Sequence, residues 1–243
     1  MTLLVSAYYD IPSKAPHSFY LEHMKRFFRF LKGKPILFFC EEKTKKELEG
    51  FHLSLENVEF IILPFSQIVK DSKIPFEIWK ESCIIDPEKY HTPELGFIWA
   101  NKKEFIRLAA EYNKNIDWFI WIDAGCIRKD LCEGIYQSFL NRNMNLLNPG
   151  VYLQQINKIE PKEFYIYPDI CIAGAIIVFH RNFIDIYIEE YNKTLINYYY
   201  NKIPLIMDQY IMASLVKFPW LHTIKGYEFN SIYDRWFFFL EWL

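Results

Sequence analysis

No stretch of this 243-residue chain approaches the ~18 consecutive apolar residues that a membrane-spanning helix needs. The start, Met1-Thr2-Leu3-Leu4-Val5-Ser6-Ala7, lacks a positive n-region, and its apolar run is too short for a secretory signal. Nor is there a surplus of basic charge. The formal net charge is −2, which excludes a broad electrostatic footprint for nucleic acid. The five cysteines, Cys40, Cys83, Cys126, Cys132 and Cys171, are an odd number without close pairs and indicate neither a zinc site nor a disulfide framework. Reduced thiols in a cytoplasmic protein account for them. No repeat, low-complexity tract or linker divides the chain, which reads as one domain over residues 1–243.

What is present is apolar and aromatic. Apolar residues make up 51% of the chain, enough for a substantial core, and aromatics make up 19%. The greasy end, Trp236-Phe237-Phe238-Phe239-Leu240-Glu241-Trp242-Leu243, is expected to dock on that core, with a peripheral membrane or partner contact as the alternative. Strands are expected over 2–7, 35–40, 58–63 and 118–122. Helices are expected over 16–31, opened by Pro16 and ended by Gly33, and from Glu41 to about Gly50. Alternating strands and helices imply an α/β fold with a mainly parallel central sheet flanked by helices. Residues 71–92, with Pro75 and Pro87, read as an irregular loop that covers the site.

The most informative stretch is Trp118-Phe119-Ile120-Trp121-Ile122-Asp123-Ala124-Gly125-Cys126-Ile127-Arg128. Five apolar residues read as a strand buried on both faces, and it ends in a carboxylate. Ligands of open α/β sheets bind at the carboxyl ends of the strands, where a lone carboxylate suits a divalent cation or a sugar hydroxyl. The plainer alternative is that Asp123 caps a turn.

Upstream, a helix is expected from about Pro93 to Asn113, with Leu95, Ile98, Trp99, Phe105, Ile106 and Ala109 on one face. Lys102 falls inside that stripe. A buried ammonium calls for an anion, so an inward-facing acidic partner is favoured over a side chain that snorkels to solvent. Downstream, Asp169-Ile170-Cys171-Ile172-Ala173-Gly174-Ala175 leads a long apolar strand that runs to Phe179. Its small residues allow either a ligand or a helix to lie close. Pro204 marks a further helix start, with Leu205, Met212, Leu215 and Val216 inward and Asp208 on the same face. Helix-dipole stabilisation and a site role are both open to Asp208.

These segments, with Val5-Ser6-Ala7-Tyr8-Tyr9-Asp10 and Ile98-Trp99-Ala100-Asn101-Lys102, resemble the HtrL/YibB family from about Leu3 to Trp236. The resemblance implies a GT-A-like, Rossmann-related fold and a glycosyltransferase. Such an enzyme moves a sugar from a nucleotide-sugar donor to a glycan or glycolipid acceptor, in synthesis of surface polysaccharide or glycoconjugate. It further implies that Ser6, Tyr8 and Asp10 hold the donor nucleotide, with Lys102 and Arg128 at its diphosphate. Asp123 matches the first carboxylate of the Asp-x-Asp motif that anchors Mn²⁺ or Mg²⁺ against the developing charge of the leaving group. Asp169, Ala173 and Gly174 would face the sugar or acceptor, and Asp208 would be the catalytic base.

Gly125 stands where the second carboxylate of the motif belongs, so a cation needs another ligand or more water. His222 is the candidate, against the plainer reading of a structural histidine. Two alternatives stand beside a transferase. A nucleotidyltransferase that makes an activated sugar is disfavoured by the lack of glycine in Ser6–Asp10, and a non-catalytic glycan-binding protein is allowed by the missing carboxylate. Donor base, donor sugar, acceptor, anomeric outcome and oligomeric state are not encoded in any motif of this chain.

Overall fold

The computed structural model describes residues 1–51, 53–129, 138–228 and 236–243, so Cys132 lies outside the described residues. The expected first half is found. Strand β1 (Thr2–Tyr8) leads to helix α1 (His17–Phe30), which follows Pro16 and is closed by Gly33 at φ 77°. Strand β2 (Ile36–Cys40), helix α2 (Glu42–Glu49) and strand β3 (Val58–Ile62) follow.

Residues 71–92 are not the expected irregular loop. Helix α3 (Phe65–Asp71) runs into them, and helix α4 (Glu77–Ile85) lies between the two prolines. Pro75 and Pro87 bound α4 instead of breaking it, because a proline outside a helix removes none of its hydrogen bonds. The helix expected over 93–113 is two helices, α5 (Pro93–Ala100) and α6 (Lys102–Tyr112). Between them the Asn101 side chain donates to Phe97 O at 2.7 Å and competes with the backbone for that carbonyl. The break resets the helical phase, so α5 buries Gly96, Phe97 and Ala100 while Leu95, Ile98 and Trp99 are only half-buried.

Strand β4 (Trp118–Ile122) is wholly buried, as expected. After it come β5 (Val151–Gln155), β6 (Ile172–His180), α7 (Ile184–Tyr200), α8 (Asp208–Ser214), β7 (Leu221–Lys225) and α9 (Phe239–Trp242). Helix α8 begins four residues after Pro204, because 204–207 stay extended, and Asp208 becomes its first residue.

The seven strands form one sheet in the order β3-β2-β1-β4-β6-β5-β7. Only β6 runs against its neighbours; the other six point the same way. Alternate side chains feed two cores. On one face Leu3, Val5, Phe119 and Trp121 pack under α3 to α8. On the other, Leu4, Phe38, Ile120 and Val178 pack under α1, α2 and the C-terminus. Phe237, Phe238, Phe239, Leu240, Trp242 and Leu243 are all buried there, so the apolar end docks on the core and is not offered to a membrane surface. Buried Gln154 fixes it, accepting a hydrogen bond from Phe239 N at 3.0 Å. No helix among the described residues is long and apolar enough to cross a membrane.

One side chain closes the rim opposite the carboxyl ends of the parallel strands. Arg181, just past β6, donates to Ile116 O at 2.7 Å, to Ala110 O at 3.0 Å and to Asn113 O. The planar guanidinium gathers carbonyls at and beyond the end of α6, of which Asn113 O also accepts Ile116 N. An ammonium cannot reach all three from one position. Arg181→Lys is therefore expected to lower the free energy of unfolding by about 2–3 kcal/mol, read by urea denaturation.

Candidate functional site

The strand order reverses between β1 and β4, with β2 and β3 lying to one side of β1 and β4 to the other. In an open α/β sheet, that switch point leaves a crevice at the carboxyl ends, where no crossover helix covers the sheet. Val5 pairs with Trp121, so Asp123 emerges level with the end of β1. Tyr8, Asp10, Asp123 and Arg128 all come from the ends of these two strands.

Asp123 points to the same face as Trp121, two residues before it. The Trp121 indole N–H donates to Asp123 Oδ1 at 2.6 Å. Lys102, the first residue of α6, brings its Nζ to 3.3 Å from the same oxygen, to 3.0 Å from Asp208 Oδ2 and to 2.8 Å from Gly174 O. The expected acidic partner of Lys102 is thus present, and there are two of them. Gly174 O takes a hydrogen bond from the ammonium, and the two carboxylates flank it as ion pairs. Burial alone would pull the Lys102 pKa down, but the two carboxylates outweigh it and hold the pKa above that of an ordinary lysine. Asp208 is pushed up by burial, with Lys102 opposing and Asp123 adding to the shift.

This packing revises several expectations. Lys102 is buried between two carboxylates and the Gly174 carbonyl, so the residue stands behind Asp123 and does not face a diphosphate. Gly174 does not make room for a sugar. A Cβ there would lie 2.9 Å from Met212 Cε and 3.1 Å from an Asp208 oxygen, so its small size admits α8. Ala173 is fully buried. Ser6 is likewise fully buried, and its hydroxyl donates to Ile122 O at 2.6 Å, which ties β1 to β4 beneath the crevice and leaves it no reach to a nucleotide.

His222 is removed from the site altogether. It pairs with Tyr152, which pairs with Val178, which pairs with Ile120. Three strand spacings, about 14 Å, therefore separate it from β4, too far to share an ion with Asp123. Its ring packs on Tyr152 at 4.6 Å.

The remaining predicted residues stay accessible. The Tyr8 hydroxyl lies 2.7 Å from His17 Nδ1, and His17 Nε2 lies 2.8 Å from Glu47 Oε2. Asp10 takes Lys43 at 3.0 Å. Arg128 is exposed and lies over the Phe237 ring at 5.1 Å. Asp169 pairs with Lys162 at 2.6 Å. Asp123 keeps a third of its side chain open.

Among the described residues, no three His, Cys, Asp or Glu side chains converge as a metal site. The two carboxylates from these strand ends, Asp10 and Asp123, each already carry an ammonium, so these residues do not fit a resident Mn²⁺ or Mg²⁺.

Sequence reasoning overlooked Lys103. It is 4% exposed, donates to Ala100 O at 2.6 Å and lies 4.7 Å from the centre of the Tyr191 ring. Burial lowers its pKa to about 8. The signal was its place next to Lys102 at the helix break, where both lysines turn inward.

No protein-family model matches this chain, and no curated protein is significantly similar to it. Among solved structures it is similar to a glycosyltransferase involved in the glycosylation of the major capsid of PBCV-1. The identity is 10%, with 92% of this chain and 80% of that one covered and a TM-score of 0.41.

Two stability outcomes follow from the cluster. Lys102→Met strands two carboxylates, one of them fully enclosed, and is expected to cost about 3–5 kcal/mol in chemical denaturation. Adding Asp208→Leu is expected to recover part of that loss, because the enclosed charge goes too. For Lys103, the folded chain releases the proton near pH 8 and the unfolded chain near 10.5. Between these values the unfolded state binds more protons, so this group's contribution to stability rises with pH and is least favourable below about 8. Lys103→Met is accordingly expected to stabilise the fold at pH 7, by up to about 3 kcal/mol, with the gain shrinking as pH climbs through that window.

Proposed function

We propose that this chain is a nucleotide-sugar-dependent glycosyltransferase that acts on a glycan or glycolipid acceptor in surface-polysaccharide or glycoconjugate synthesis. The observation that carries the reading is Asp123 at the switch point between β1 and β4, held by Trp121 and Lys102 with part of its carboxylate open to the crevice. The HtrL/YibB resemblance of the same segments agrees with it. The whole of residues 1–243 would serve as one transferase unit.

In this reading the donor nucleotide lies along the end of β1, over Tyr8 and Asp10, with Arg128 facing its diphosphate. Departure of the nucleoside diphosphate develops negative charge, which the exposed guanidinium neutralises. Asp123 fixes the donor sugar by accepting from its hydroxyls. A Mn²⁺ or Mg²⁺ ion would come to this crevice with the diphosphate, since Asp10 and Asp123 are each already paired with a lysine. Asp208 is the proposed base. Burial raises its affinity for a proton, which suits an acceptor hydroxyl losing one as it attacks the anomeric carbon. Lys102 acts through these two carboxylates as a positioning residue. The site would work in the cytoplasm, where nucleotide sugars are made.

One observation favours a second reading, a non-catalytic glycan-binding protein: Asp208 is enclosed and already paired with Lys102. Product assays separate the two. Incubation with a panel of nucleotide sugars is expected to release nucleoside diphosphate, and a thermal-shift screen to rank the donors with and without Mn²⁺. Asp123→Asn is expected to lower that release about 100-fold or more while the fold persists, since the amide oxygen still accepts from Trp121. Wild-type turnover in that variant would overturn the assignment, and no release from any donor would leave the binding protein as the better account.

A further inference from the structure

A second cavity, of about 240 Å³, opens beside α8. Ile166, Tyr167, Pro204 and Met207 give it apolar walls, and Asp86, Glu88, His91 and Tyr210 give it polar ones. The polar groups are built in. His91 Nδ1 lies 2.8 Å from Asp86 Oδ1 and His91 Nε2 lies 3.2 Å from Glu88 Oε2, with His91 and Asp86 both buried. Asp86 Oδ1 also accepts Glu88 N at 2.8 Å, so the three side chains hold one another in place. Tyr210 is only 4% exposed, and its hydroxyl has no hydrogen-bond partner among the described residues. An enclosed phenol without a partner is costly unless a ligand or water completes it.

We propose that this cavity binds one uncharged sugar ring of the acceptor. The inference rests on the transferase reading for its place in the reaction, although the binding itself does not. Three features select the ligand. The volume is below the roughly 300–1,000 Å³ that drug-sized molecules occupy, and so suits a single ring. The lining joins Tyr167 and Tyr210 to the aliphatic surface of Ile166, Pro204 and Met207, an apolar wall against which the C–H face of a sugar packs. The charged side chains that line it are carboxylates, with no lysine or arginine, so phosphate and other anions are repelled while hydroxyl donors are accepted.

Position ties the cavity to the chemistry. Met207 and Tyr210 line it, and Asp208 lies between them in the same first turn of α8 with its carboxylate on the inner face. Asp208 itself does not line the cavity: its carboxylate is turned to Lys102, so a sugar seated here lies across this turn from the proposed base. In the transferase reading Met207 and Tyr210 belong to the acceptor side, and the ends of β1 and β4 to the donor side.

The test uses the full chain and saturation-transfer NMR with methyl glycosides of glucose, galactose, mannose and N-acetylglucosamine. Inorganic phosphate and methylamine serve as charged competitors. At least one glycoside is expected to give a signal that phosphate does not displace. Tyr210→Phe removes only the unpartnered hydroxyl, and Tyr167→Ala only an exposed wall. Each is expected to weaken that binding about fivefold, the scale of one hydrogen bond or one stacked face, with an unchanged melting temperature. No glycoside signal, a signal equal in both variants, or displacement by methylamine alone would overturn the proposal. The thermal-shift response to nucleoside diphosphates, read on the same samples, reports on the transferase reading independently.

Discussion

A single ammonium organises the centre of this molecule. Lys102 joins two carboxylates from different elements and a strand carbonyl, so β4, β6, α6 and α8 meet at one nitrogen. Burying charge is expensive in isolation and tolerable when opposite charges enclose it, and here two carboxylates do. Around it the switch point of the sheet supplies the opening, and Trp121 sets the angle of Asp123. Remove the positive charge and Asp208 becomes an enclosed anion with no counterpart. The accessible surface of Asp123 is therefore maintained by a residue that itself touches no ligand in the proposed chemistry.

Much of this was legible in the chain. The buried run Trp118–Ile122 announced the central strand because it is apolar on both faces, and Lys102 announced an anion because it interrupted an apolar stripe. Less of the second half was legible. Strand β5 ends in Gln154 and Gln155, and β7 carries His222, Thr223 and Lys225, so neither has the apolar signature of a buried strand. Gln154 is buried all the same, because its amide holds Phe239 N and the Ile176 carbonyl. The α5–α6 break was hidden because Asn101 is polar but not a strong breaker, and its effect comes from one side-chain hydrogen bond. Site residues failed where the pattern fitted two physical causes. Small residues at Ala173 and Gly174 fit close helix packing as well as a ligand, and distance along the chain says nothing of the three strands that separate His222 from β4.

The donor crevice and the second cavity differ in the charges they present. Arg128 and Lys43 stand exposed near the ends of β4 and β1, whereas Asp86 and Glu88 line the cavity beside α8. Lys43 is paired with Asp10, and Asp123 opens at the same crevice, so both signs meet there, while the charged groups that line the cavity are carboxylates. The two openings therefore present different fields to an approaching charge.

Strand β6 runs against the rest of the sheet, and this has a mechanical result. Its beginning lies at the rim where Gly174 O meets Lys102, and its end lies at the opposite rim, where Arg181 grips the carbonyls at the close of α6. Helix α6 is thus a beam pinned at both ends to one strand, each pin a single cation. A beam held this way can neither slide nor tilt without breaking a charge-assisted bond at one support. The same ammonium also holds Asp208, so the first turn of α8 is tied to α6 at the first of these supports.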